Sequence, residues 1–140
     1  MEKYKEVKEG GIYGPGEKND AYAKYFVGQS YLKPLGTQGV GIFNVTFEPS
    51  CRNNRHIHKS EKEAGQILLV TGGEGWYQEW GKPARRLRAG DVVNIASGVK
   101  HWHGAAKDCW FSHLAVEVPC EKGGTEWLEA VSDKDYNSLQ

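Results

Sequence analysis

His56-Ile57-His58, then Gly65-Gln66, and later His101-Trp102-His103 decide how this 140-residue chain is read. Two histidines one residue apart put both imidazoles on one face of an extended strand, because strand side chains alternate with period two. A further histidine converging from a second strand gives an all-β protein a way to build a metal site inside a barrel. Imidazole suits Mn, Fe, Co, Ni, Cu and Zn, and three of them with one oxygen donor leave open positions on an octahedral ion. The alternative is that each histidine is hydrogen-bonded core. Two His-x-His pairs hold four of the five histidines, and that concentration favours metal.

Outward from those pairs the chain reads as strand after strand. Gly41 to Phe47 is rich in β-branched and aromatic residues and stops before Pro49. Arg55 to His58 precedes the polar loop Lys59 to Glu63. Gln66 to Thr71 reads as a buried strand closed by Gly72-Gly73, and Gly75 to Trp80 as the next. Arg85 to Leu87, Val92 to Ile95, Lys100 to His103 and Cys109 to Val118 complete the series. Turns at Gly81-Lys82-Pro83, Ala89-Gly90-Asp91 and Ser97-Gly98 separate them.

About eight short strands with Gly or Pro turns between them argue an all-β sandwich or barrel of jelly-roll type. Residues 1–37 read as a polar N-terminal arm with an edge strand, Val27 to Tyr31 ending at Pro34. Residues 38–120 make the barrel. In the tail, 121–140, Glu126 to Ala130 and Asp133 to Leu139 are expected as short helices.

Composition removes several classes. Lys and Arg total 18, as do Asp and Glu, so the net charge is zero, and no basic stripe offers itself to nucleic acid. Arg85-Arg86-Leu87-Arg88 fits a charged hairpin edge that blocks edge-to-edge pairing. Cys51, Cys109 and Cys120 are odd in number with no Cys-x-x-Cys spacing, which fits reduced thiols in a cytoplasmic protein. The longest strongly apolar run, Ile67 to Val70, is too short to cross a membrane.

Phe47-Glu48-Pro49, His56-Ile57-His58 and Gly65-Gln66 through Gly72-Gly73-Glu74-Gly75 together resemble the first cupin motif. Ala89-Gly90-Asp91-Val92-Val93 through His101-Trp102-His103-Gly104 resembles the second. The whole is similar to the small single-domain bacterial cupins. That group includes manganese-dependent hydroxynitrile lyases and relatives of the carboxymuconolactone decarboxylase-associated cupins. The implied fold is a single-domain jelly-roll β-barrel with a short C-terminal helical tail.

The resemblance implies metal ligands at His56, His58, Gln66 and His101. Family spacing sets the oxygen donor a few residues after the second histidine, close to Glu63, and Lys59 to Ala64 looks like an insertion. Counting back from Gly73 fits Gln66, and Glu63, at odd offset from it, faces away if the strand starts early. Gln66 is preferred, with Glu63 as the rival. Three neutral imidazoles and a neutral amide leave a divalent ion its full charge, which favours hydroxide, carboxylate, cyanide or an enolate. Mn or Fe suits that donor set best, and the Irving–Williams order also admits Ni or Zn.

In the resembling lyases the histidines at the positions of His103 and His113 line the site without binding metal. Both are therefore candidates for proton transfer, or for hydrogen bonds that orient a ligand. Glu117 shares a face with His113 and is a candidate base or a partner to it. Phe43 and Val45 are expected on the cavity wall. Trp76, Trp80, Trp102 and Trp110 are expected in the core or a subunit interface. The implied function is a metal-dependent enzyme acting on a small oxygenated molecule, most concretely a hydroxynitrile-type lyase. Alternatives are a dioxygenase, decarboxylase or isomerase, and a non-catalytic small-molecule-binding cupin. A homodimer exchanging an N-terminal strand is the expected assembly.

Overall fold

In the computed structural model, which describes residues 7, 10–60, 65–119 and 123–139, one long strand belongs to two sheets at once. Numbered along the chain, the first six strands are β1 (Glu17–Lys18), β2 (Phe26–Val27), β3 (Ser30–Gly36), β4 (Gly41–Phe47), β5 (Arg52–Asn53) and β6 (His56–Lys59). The long strand is β7 (Gly65–Glu79), followed by β8 (Arg85–Arg88), β9 (Val92–Ala96), β10 (His101–Ala105), β11 (Phe111–Val118) and β12 (Gly124–Trp127). The first half of β7 pairs with β11 and β9, and its second half with β10 and β8. Beyond β11 the first sheet continues through β4 and β3 to β1. In the second, β10 carries β5 and β6, which in turn carry β2 and β12. Every pairing is antiparallel, and the result is a jelly-roll barrel.

Gly72-Gly73 does not close a strand, contrary to the sequence expectation; it bends one. Gly73 has φ 73°, and a Cβ there would collide with the Trp110 carbonyl oxygen, so only glycine fits. Beside it the β11 register passes from Gly72 to Val70 and skips Thr71, a bulge that turns the strand towards the second sheet. Gly65 is constrained in the same way. Its φ is 131° and its Cα faces the Ile95 carbonyl oxygen, which sets where β7 starts and hence which way Gln66 points.

Two other expectations are corrected. Pro34 does not end its strand, because β1 stops opposite Leu32 and a register irregularity lies between Pro34 and Gly36. Edges and bulges are where sheets tolerate proline. Glu126 and Trp127 are not helical but lie in β12, in which Gly124, Thr125 and Glu126 are exposed and Trp127 is half-buried. In the tail the helix spans Asp133–Asn137, started by Ser132, whose Oγ accepts from the Asp135 N–H.

Inside the barrel, Phe47, Leu68, Val93, Ile95, Phe111 and Ala115 form one packed core. In β9 burial alternates residue by residue, with Val93 and Ile95 inward. A second cluster, Trp102, Val131 and Tyr136, docks the tail outside the barrel. Trp102 is thus core as expected, whereas Trp80 is 60 % exposed. Among the described residues no helix is long and apolar enough to cross a membrane, and Cys51 and Cys109 are free thiols. Cys120 lies outside them.

Candidate metal centre

The two His-x-His pairs meet in register: His56 stands directly opposite His101 across β6 and β10. Their ring centroids are 4.2 Å apart, and His58 lies 5.0 Å from His56 and 5.1 Å from His101. His56 Nδ1 is 2.8 Å from the Asn54 carbonyl oxygen, and His101 Nδ1 is 2.8 Å from that of Val99. A carbonyl only accepts, so each proton sits on Nδ1 and each Nε2 lone pair is left free.

Burial shapes the charge state. It is the first cause holding all five histidines below their ordinary range, with His101 and His113 pushed down to about 4. His56 and His103 sit well below it, helped by mutual repulsion among the rings. At His58 the Glu117 carboxylate opposes the shift. These rings are neutral at pH 7, the form that binds metal.

The Nε2 atoms of His58 and His101 are buried with no hydrogen-bond partner. Leaving such an acceptor dry costs about 1–3 kcal/mol, and a divalent ion removes that cost for both at once. The residues present therefore fit a metal. Among the described residues, His56, His101 and His103 bring ring nitrogens within 4.8 Å of one another.

His103 is the most heavily tethered of the rings. Its backbone N–H donates to Asn53 Oδ1 at 2.9 Å, the Asn53 amide nitrogen lies 3.1 Å from its Nε2, and His113 Nε2 lies 3.2 Å from its Nδ1. Phe47, fully buried, packs against both His103 and His113. On β7, Gln66 donates its amide to Glu117 Oε1 at 2.8 Å.

No family model matches the chain. Over 118 residues it is 37% identical to an (R)-mandelonitrile lyase of Granulicella tundricola, covering 81% of this chain and 87% of that protein. A cupin-like protein of Thermotoga maritima superposes with TM-score 0.83 at 39% identity, covering 91% of this chain and 96% of that one. The chain belongs to the cupin superfamily. The barrel alone is shared with a DMSP lyase of Ruegeria pomeroyi, at TM-score 0.60 and 20% identity over 82% of this chain and 57% of that one.

In this cupin a cavity of about 380 Å³ opens beside the histidines. His56, His58, Gln66, His103, His113 and Glu117 all line it, with Phe43 and Val45 on its wall as expected. His101 stands behind, touching His56, His58 and His103 through its ring. Glu63 lies outside the described residues. Glu117 is on an inner strand between β4 and β7, so it is not a solvated edge residue. Sequence reading missed Asn53, Thr125 and Trp127, which also line the cavity. Period-two reading of Thr125-Glu126-Trp127 would have found the last two.

Proposed function

We propose that this cupin is a metal-dependent hydroxynitrile lyase, breaking and making the bond between a carbinol carbon and cyanide. The observation that carries it is the pair of orphaned imidazole nitrogens on His58 and His101 beside an apolar-walled cavity. Identity to an (R)-mandelonitrile lyase over most of both chains supports the choice of reaction.

His56, His58 and His101 would hold the ion, with Gln66 as oxygen donor. His58 is preferred to His103 as the third imidazole because Asn53 and His113 already occupy the nitrogens of His103. Gln66 gives its amide nitrogen to Glu117, which leaves the carbonyl end for the ion. Mn or Fe suits this set, with Ni or Zn as competitors. Bound there, a divalent ion supplies a Lewis acid that attracts an anion or polarises a carbonyl oxygen.

The chain's own residues move the proton. In cleavage the hydroxyl O–H of the cyanohydrin is lost, the C–C electron pair leaves with cyanide, and cyanide takes a proton to leave as HCN. His103 Nδ1 and His113 Nε2 are 3.2 Å apart, so one of them carries the hydrogen between them. The pair can accept a proton on one ring and release it from the other. Phe26, Leu32, Phe43 and Val45 exclude water and offer an apolar surface to the rest of the substrate.

Synthesis tests the reading: metal-loaded protein given benzaldehyde and cyanide should yield mandelonitrile enriched in one enantiomer. Racemic product at the protein-free rate would refute it.

A further inference from the structure

β12 lies antiparallel to β6, with Thr125 opposite His58 and Trp127 opposite His56. Directly opposed residues of an antiparallel pair project from the same face, so the tail strand presents Thr125 and Trp127 alongside both histidines. The Trp127 indole centroid is 4.7 Å from the His56 ring, tilted by 35°. It also stacks on Tyr25 at 4.5 Å and 6°. Tyr25 is itself tied to the histidine strand, since its carbonyl accepts from Asn54 N–H at 2.7 Å. Asn54 in turn offers the carbonyl that fixes His56 Nδ1.

Thr125 Oγ1 is 3.5 Å from His58 Nδ1, across the ring from the orphaned Nε2. The nitrogens that orient His56 and His101 rest on backbone carbonyls two residues earlier in the chain, just before each strand begins. At His58 a hydroxyl from the tail stands in the corresponding place. Beyond the paired residues the tail stays latched, with Leu128 N–H on the Arg55 carbonyl at 2.8 Å and Arg55 N–H on the Glu129 carbonyl at 2.9 Å.

We propose that β12 is a working part of the metal centre, with Trp127 and Thr125 as positioning residues that set the rings of His56 and His58. Partners of metal-bound histidines fix tautomer and ring angle, and losing one typically costs about 10–100-fold in metal affinity. The inference rests on the ligand set proposed above.

The test uses the full chain and Mn²⁺ alone, with three readouts: affinity, release rate into EDTA, and the EPR spectrum of the bound ion. Thr125→Val, nearly isosteric, should weaken binding and speed release by about tenfold, and Thr125→Ser should restore both. Trp127→Ala should do the same with an altered EPR spectrum, and Trp127→Phe, which keeps a ring against His56, should lie between. Unchanged thermal midpoints in Thr125→Val separate these effects from unfolding. Wild-type affinity, release and spectrum in both Thr125→Val and Trp127→Ala would refute the role of β12 alone. A wild type that takes up no Mn²⁺ would refute the ligand set itself.

Discussion

Glu117 accepts a 2.8 Å hydrogen bond from the side-chain amide of Gln66, its direct neighbour across β11 and β7. An amide has two unlike ends, and a carboxylate only accepts, so this bond decides which end is left over. It also puts a negative charge one hydrogen bond away from a donor set that is otherwise neutral.

Glu117 should therefore act on metal binding before it acts on chemistry. Glu117→Leu removes both the acceptor and the charge, and we predict about tenfold weaker Mn²⁺ binding. Glu117→Gln keeps an acceptor and should lose less. Isothermal titration of the two variants checks the order; equal affinities across all three proteins would detach Glu117 from the centre.

Replacing His103 or His113 should separate proton transfer from metal binding. We predict that His103→Asn and His113→Asn retain Mn²⁺ while turnover of mandelonitrile falls by about 10²–10⁴-fold. Loss of the ion in either variant would instead make that ring a ligand or a support of one.

The metal-free protein should be acid-labile in a definite window. His101 and His113 are held near 4 by burial, whereas an unfolded histidine titrates near 6.5. Between those values the unfolded chain binds protons that the folded chain does not, so stability is full above about pH 6.5 and falls as pH drops towards 4. Each ring contributes a slope of up to about 1.4 kcal/mol per pH unit there. Urea midpoints at pH 7.5, 6 and 5 measure it, and a flat profile would mean the rings are not neutral and buried.

Much of this was legible in the sequence, and the failures are physically specific. His56, His58, His103 and His113 face one cavity, with the His101 ring packed behind them, because side chains alternate with period two along strands. Gln66 was placed by counting back from Gly73, and in the structure Gly65, facing the Ile95 carbonyl oxygen, starts the strand just before it. The doubled glycine at 72–73 was ambiguous, since glycine both ends strands and bends them, and only the clash with Trp110 decides between the two. Glu126 to Ala130 has helix-forming composition, yet pairing with the β6 edge overrides that local preference. Asn53 was invisible because nothing local marks a residue whose partner, His103, arrives from a distant strand.

The tail should owe its position to Arg52, which is 3 % exposed. Its guanidinium donates twice to the Val131 carbonyl, at 3.1 and 2.8 Å, and lies over the Tyr136 ring. The Asp133 partner is exposed and adds little. We predict that Arg52→Ala costs about 2–4 kcal/mol in urea unfolding and speeds amide exchange in residues 124–139. Slow, wild-type exchange there would show that the tail is held by other contacts.

The most direct measurement of the central claim is benzaldehyde release from mandelonitrile by one protein sample, followed before chelation, after it, and after Mn²⁺ is returned. The account predicts release above the protein-free rate, its loss with the metal, and its recovery on reloading. A fully metal-loaded sample that releases benzaldehyde no faster than buffer, or one whose release survives chelation, would contradict it.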